Sequence, residues 1–505
     1  MQPVNRHPHP ADVAFDGGDL DCGNGLLLLI RQHIDPMRPG QLLEIRSTEI
    51  SVDEDLPSWC RMTGNELISF TKVGKQRSFL VAKGSFIPRA RVEAAAALSS
   101  TRQAPKPVVI PATLPPPAPA PKIAPLSVMG IGSWPRPRWM VQAIHDHLEG
   151  RLSDTDFEAT ADDAVRLAVE SQKRAGAHVL TDGEQRRDSY ANFIGSRLDN
   201  CQLIPLVDLL PIVDDPEKLK KDFDELDVDA SEIRHPAVWG AIGRSRPIAG
   251  HELAFLQTLT TGPTKIALPG PYLLSRIMWL ECISDRAYKT REDLAKDIVR
   301  VLREELHFLL AAGASLVQFD EPVLSEVVFS GPKNTRSFMC GALSAKGDAD
   351  HELCFARDLI NAVIDGAPTD RTAVHVCRGN WTPDEGAALT GDYRPLLNLL
   401  RQLKVGTYFL ELCTPRAGEI EVLRTLPADR RVGVGVVNQK HERVETVDEI
   451  VAKGRKAIEV FGRDRVLLNT DCGFATFADN PVSSAATAEA KLRAMVAASD
   501  RLRAS

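Results

Sequence analysis

Residues 372–377 read TAVHVC, a short apolar run that exits directly into a histidine and a cysteine. β-Branched residues favour strands, and on a strand residues i and i+2 share a face, so His375 and Cys377 project together. An imidazole nitrogen beside a thiolate sulfur suits zinc, which accepts mixed N, S and O ligands. An isolated pair of this kind is more often a core histidine next to a small buried cysteine, so the surroundings must decide.

Outward from this run the same pattern repeats. The stretches HVLT (178–181), SLVQF (315–319), TYFLEL (407–412), RVGVGVV (431–437) and VLLN (466–469) read as further strands. Segments 162–175, 291–312 and 447–461 read as amphipathic helices between them. Alternating βα units build parallel sheets, and about nine strand candidates for eight places favour a (β/α)8 TIM barrel over an open sheet. The run AVWGAI (237–242) is the candidate placed outside the barrel.

Nearly every strand exits into polar residues: Asp182-Gly183-Glu184, Asp320-Glu321-Pro322, Glu411, and Asp471-Cys472. In such barrels chemistry gathers at the C-terminal strand ends, and carboxylates there are costly to bury unless they bind something. Glu411 and Cys472 are therefore placed to join His375 and Cys377 around one metal ion. Cys413 shares a face with Glu411 and is the rival ligand. Cys472 is preferred because Gly473 permits the turn needed just past a strand.

At 505 residues two or three domains are expected. A Pro/Ala-rich stretch at 86–126, with LPPPAPA at 114–120, reads as a semi-rigid linker between units 1–85 and 127–505. In the small unit, 26–37 reads as a helix, 41–47 as a strand and 55–64 as a second helix with proline at its start. Residues 66–73 and 77–83 read as a hairpin around Gly74, completing a two-layer α/β unit. Hydrophobic residues at 43% and charged residues at 26% are ordinary for a globular protein. A net charge of −7 gives no basic face for nucleic acid. The apolar run Leu26–Ile30 is too short for a bilayer and follows acidic Asp19 and Asp21, so neither a membrane span nor a signal peptide is expected and the cytoplasm is. Nine cysteines, odd in number and sparse, argue for a reducing compartment. Among them Cys201, Cys282, Cys340 and Cys354 read as packing residues.

At IGS (131–133), DGE (182–184), QFDEP (318–322), HVC (375–377), Glu411 and DCG (471–473), the large unit resembles the C-terminal catalytic domain of cobalamin-independent methionine synthase. The resemblance spans about Ser127 to Arg493. It implies a barrel with one Zn2+ held by His375, Cys377, Glu411 and Cys472, and methyl transfer from a methyltetrahydrofolate or simpler donor to the thiolate of homocysteine or a related thiol. It also implies that Ser133, Glu184 and Asp320 hold the amino acid part of that thiol. The competing use of Glu184 and Asp320 is salt bridging to Arg186 or Arg187. The family's proton-donating histidine corresponds to His441, offset within Asn438-Gln439-Lys440-His441. Only one barrel is present here, and Arg378-Gly379-Asn380-Trp381 is more similar to single-barrel relatives such as the epoxyalkane–coenzyme M transferases. Thiol alkyl transfer to another electrophile is therefore the alternative reading.

The small unit resembles the TusA-type sulfur carriers at Asp21-Cys22, at Pro39-Gly40-Gln41-Leu42 and across 55–60. The resemblance implies a carrier thiol at Cys22 and a sulfur-transfer protein partner, although Cys22-Gly23-Asn24-Gly25 lacks the family's two prolines. A sulfur relay through Cys22 and a non-catalytic zinc or thiol-binding regulator complete the readings.

Overall fold

A computed structural model describes residues 3–87, 108–205, 208, 234–280, 284, 287–329, 348–379 and 382–505. In the small unit, β1 (Val13–Asp16), β2 (Leu42–Ser47), β3 (Glu66–Val73) and β4 (Gln76–Ala82) form one sheet in the order β1-β2-β4-β3. β1 runs parallel to β2, and the other pairs are antiparallel. Helices Leu27–Ile34 and Val52–Met62 pack on it through Leu27, Ile30, Ile34, Leu56 and Trp59. β1 was not expected, because VAFD alternates over only four residues. The second helix starts three residues earlier than expected, so Pro57 lies inside it. Pro57 forfeits one backbone bond, while Asp53, Glu54 and Asp55 in the first turn complement the helix dipole.

In the large unit, β6 (Asp199–Pro205) and β7 (Arg234–Gly243) form a separate antiparallel ribbon, which takes AVWGAI out of the main sheet. β5 (Val128–Met129), β8 (Lys265–Pro269), β9 (Leu316–Asp320), β10 (Thr372–Val376), β11 (Thr407–Leu410), β12 (Arg431–Val437) and β13 (Val466–Thr470) form one parallel sheet, ordered β5-β13-β12-β11-β10-β9-β8. Residues 178–180 close the ring. His178 N–H donates to the Val128 carbonyl (2.9 Å), and Lys265 N–H to the Leu180 carbonyl (2.9 Å). HVLT thus occupies the eighth position, with a single bridge between Leu180 and Thr264 in place of a full ladder.

Strand alternation sorts two cores. Met129, Val179, Leu316, Ala373, Phe409 and Leu467 fill the barrel interior, while the opposite strand faces meet the surrounding helices. The glycines of RVGVGVV serve the interior: a Cβ at Gly435 would collide with the Asp471 carboxylate. Helix Asp154–Ala175 begins earlier than expected because Ser153 caps it, accepting from Asp156 N–H (3.1 Å).

The proline-rich stretch differs from a free spacer over residues 108–126. A polyproline backbone cannot satisfy its own polar groups. Here Ala118 N–H donates to the Leu310 carbonyl (3.1 Å), and Arg371 Nη1 donates to the Ala118 carbonyl (2.6 Å), laying the segment along the barrel. The small unit also touches the large one. Leu28 belongs to the large unit's apolar core, and Arg31 Nε pairs with Asp208 (2.6 Å). No helix among the described residues is long and apolar enough to cross a membrane.

Candidate active site

The strand ends converge on one cavity, lined by Ile131, Ser133, Glu184, Tyr190, Asp320, Pro322, His375, Cys377, Cys472, Gly473 and Thr476. Six of the residues given a ligand or substrate role from sequence therefore share its wall: Ser133, Glu184, Asp320, His375, Cys377 and Cys472. Glu411 joins them from β11's exit, its carboxylate within 4.8 Å of the Cys377 and Cys472 sulfurs, a group that could hold a metal ion. His375 stands outside that three-membered group, yet its Nε2 is buried without a hydrogen-bond partner and its ring lines the same cavity. An unpaired imidazole nitrogen lining the same cavity as two thiols, with a carboxylate beside them, is a donor set that fits a zinc ion.

Each of these side chains is fixed by its neighbours. Parallel register sets His375 opposite Asp320, and Nδ1 of the ring meets Asp320 Oδ1 at 2.9 Å. Burial lowers the basicity of His375, but the hydrogen bond and charge of Asp320 reverse this and leave it raised overall. Glu411 Oε1 accepts the Arg378 backbone N–H (2.9 Å). Asp471 Oδ1 accepts from both Leu412 and Cys413 N–H (2.9 Å each), pinning the loop that carries Glu411. Hydrogen bonding to Cys377 and burial hold the Cys472 thiol well above its ordinary range. Cys413 instead meets Lys453 Nζ (2.9 Å) and lies outside the metal-ligand group.

The DGE turn builds the other wall. Glu184 has φ +54°, a left-handed conformation that costs a non-glycine residue about 1–3 kcal/mol and aims its carboxylate inward. A Cβ at Gly132 would occupy the position of Glu184 Oε1, so glycine is required there. Burial, opposed by Arg187 and reinforced by Asp320, pushes the Glu184 carboxyl up to about 7. The salt-bridge alternative holds for Arg187 alone, and there only at long range. Arg186 pairs with Glu158 (2.9 Å) and with Asp162, and Arg187 with Glu252 (2.5 Å), leaving Arg187 3.9 Å from Glu184. Glu184 Oε2 keeps no partner.

Two expectations do not fit this arrangement. His441 is exposed, pairs with Glu385 (3.0 Å) and does not line the cavity, because the loop after β12 turns it outward. The buried residue of that segment is Lys440, whose Nζ donates to the Thr382 carbonyl (2.8 Å) and whose basicity is lowered by burial. Cys22 does precede the first helix, but within a π-helical turn, buried in the small unit's core. Burial and the charges of Asp55 and Asp21 push its thiol up to about 12, opposite to what a sulfur carrier needs at neutral pH. Cys201 is partly buried against the core and Cys354 is exposed; Cys282 and Cys340 lie outside the described residues. Tyr190, Thr476 and the buried Lys265 were not foreseen, since only the closed barrel brings them to the site or beneath it.

Residues 220–347 and 388–501 match the family described as the catalytic domain of cobalamin-independent synthase. A methionine synthase of Sulfolobus acidocaldarius is 29% identical over 344 residues, covering 68% of this chain and 84% of that protein. One of Saccharolobus solfataricus is 26% identical over 344 residues, covering 68% and 86%. A B12-independent methionine synthase from a Shewanella species, solved with selenomethionine, superposes with a TM-score of 0.57 at 22% identity, covering 76% of this chain and 98% of that one. A putative B12-independent methionine synthase from Listeria monocytogenes gives 0.53 at 18%, covering 75% and 99%. These two likenesses speak for the fold.

Proposed function

From a large unit that belongs to the catalytic-domain family of cobalamin-independent methionine synthase, we propose that the chain is a zinc-dependent S-methyltransferase acting on homocysteine or a related amino-acid thiol. One observation carries the reading. The buried, unpaired Nε2 of His375 borders the same cavity as Cys377 and Cys472, with Glu411 beside both sulfurs and Glu184 and Asp320 lining the same cavity.

His375, Cys377, Glu411 and Cys472 would hold the zinc, which when bound keeps a coordinated substrate thiol as its nucleophilic thiolate. The protein's own groups do the rest. Glu184 and Asp320 present carboxyl groups to the substrate ammonium, and an arriving cation draws Glu184 into its ionised form. Ser133 Oγ, which accepts from Ala475 N–H (3.3 Å), stands beside Gly473 at the cavity wall to meet the substrate's carboxylate end. A methyltetrahydrofolate is the first donor to test, a simpler methyl donor the next. With homocysteine and a methyltetrahydrofolate, purified protein should form methionine. With Cys472→Ser, metal analysis should find zinc well below one per chain; full retention would remove Cys472 from the ligand set.

A second reading is favoured by the outward position of His441. Without that histidine in the cavity, protonation of a folate leaving group has no side chain assigned to it. Thiol alkyl transfer to another carbon electrophile, of the coenzyme M transferase kind, then becomes the better description. Activity on such an electrophile with none on any folate would select it.

A further inference from the structure

Lys265, at the start of β8, is fully buried and reaches across the barrel interior. Its Nζ donates to the Gly130 carbonyl (2.7 Å) and to Gln318 Oε1 (2.8 Å), and lies 4.4 Å from the centre of the Phe409 ring. Gln318 Nε2 donates to Asp320 Oδ1 (2.7 Å), the same oxygen that meets His375 Nδ1 (2.9 Å). Four side chains thus form one buried line ending at the unpaired His375 Nε2.

The direction of every bond in this line is decided by its ends. An ammonium only donates and a carboxylate only accepts, so Gln318 must turn Oε1 to Lys265 and Nε2 to Asp320. A neutral Lys265 would still have two N–H groups, one for each of its oxygen partners. With Asp320 accepting, the neutral form of His375 carries its proton on Nδ1, which leaves Nε2 as its lone-pair nitrogen at the cavity. The ring nitrogen that binds metal is set by the bond the other one makes.

We propose that Lys265 and Gln318 are positioning residues that hold the Asp320 carboxylate with Oδ1 against the His375 ring. Without that hold Asp320 can turn away; with it Asp320 commits His375 to its Nδ1–H tautomer and prepares Nε2 as a metal ligand. The inference rests on the zinc reading for its purpose, but the tautomer can be observed without metal. The test uses the full chain, metal-free and ¹⁵N-labelled at histidine, with the His375 signal assigned by loss in His375→Gln. The wild type should show the Nδ1–H pattern. Lys265→Met and Gln318→Met should shift His375 toward a tautomer mixture and weaken zinc binding, measured by chelator competition, about tenfold or more. Lys265→Gln, which keeps an N–H donor without the charge, should hold the wild-type tautomer. A His375 tautomer that is unchanged in both methionine variants overturns the proposal. So does equal loss in Lys265→Gln and Lys265→Met, which would assign the effect to charge or packing. If the variants shift the tautomer as described but the wild type binds no zinc, the relay is upheld and the zinc reading fails instead.

Discussion

Glu184 shows what the candidate site costs and what that cost does. Its carboxyl titrates near 7 in the folded chain against 4.5 for an unhindered glutamate, with burial as the main cause. Between those values the folded state holds the proton more tightly than the unfolded chain, so folding stability falls as pH rises through the window and levels off above it. Glu184→Gln should therefore stabilise the substrate-free protein at pH 8 by up to roughly 3 kcal/mol and change little at pH 4. If the chain acts on an amino-acid thiol as proposed, the same change should raise its KM, because the substrate ammonium would lose its counter-charge. Urea denaturation at the two pH values separates this from a packing effect, which would be equal at both. Much of this site was legible residue by residue: His375, Cys377, Glu184 and Asp320 are conspicuous as polar groups at the ends of apolar runs. Their partners were not legible. That Asp320 faces His375 and not Arg187 depends on strand register, which no local pattern encodes.

At the level of elements, the strand exits work because neighbouring strands leave room for each other's side chains. β12 contributes glycine to the interior at residue 435, where a Cβ would strike Asp471. Asp471 in turn holds the backbone of Leu412 and Cys413 just past Glu411. Gly435→Ala should thus act twice, costing about 1–3 kcal/mol of stability through overpacking and lowering metal content by loosening Glu411. Gly74→Ala is the matched control. Gly74 sits at φ +62° with open space around it, in the hairpin far along the chain from the site. It should cost about 1–2 kcal/mol through backbone strain alone and leave metal content unchanged. Thermal unfolding with metal analysis on both variants checks the distinction; equal metal content would mean that Asp471 does not govern Glu411. The sequence made the helices and the longer strands legible through their periodicity. It hid β1 and β5, which are too short to carry a period and form only because long-range partners supply their bonds, whereas HVLT at 178–181 reads as a strand and only its reduction to a single bridge is hidden.

For the whole molecule, the run Leu26–Ile30 couples the two units. A helix that is apolar on more than one side must be buried on more than one side. Leu27, Ile30 and Ile34 serve the small unit's core, while Leu28 joins the large unit's. Beside it Arg31 pairs with Asp208 and covers the Trp59 ring at 5.3 Å, and Gln202 of β6 donates to the Arg31 carbonyl (3.0 Å) and to Asp35 (2.8 Å). Composition and a proline-rich stretch divide the chain, but they cannot reveal that the divided parts share a core. Burial raises the Asp208 carboxyl despite the attraction of Arg31, so the ion pair offsets a real desolvation cost. Arg31→Met keeps the apolar stem and removes that offset. The loss, about 3 kcal/mol for an abandoned buried charge, should appear at pH 8, where Asp208 must ionise or hold its proton at a cost. It should shrink at pH 4, where Asp208 more readily stays neutral. Denaturation curves at both pH values decide it, and a loss independent of pH would assign the effect to the Trp59 contact. A stability change that leaves metal binding at the proposed zinc site untouched would further show that the interface holds the units together without reaching the strand ends where His375 and Cys377 stand.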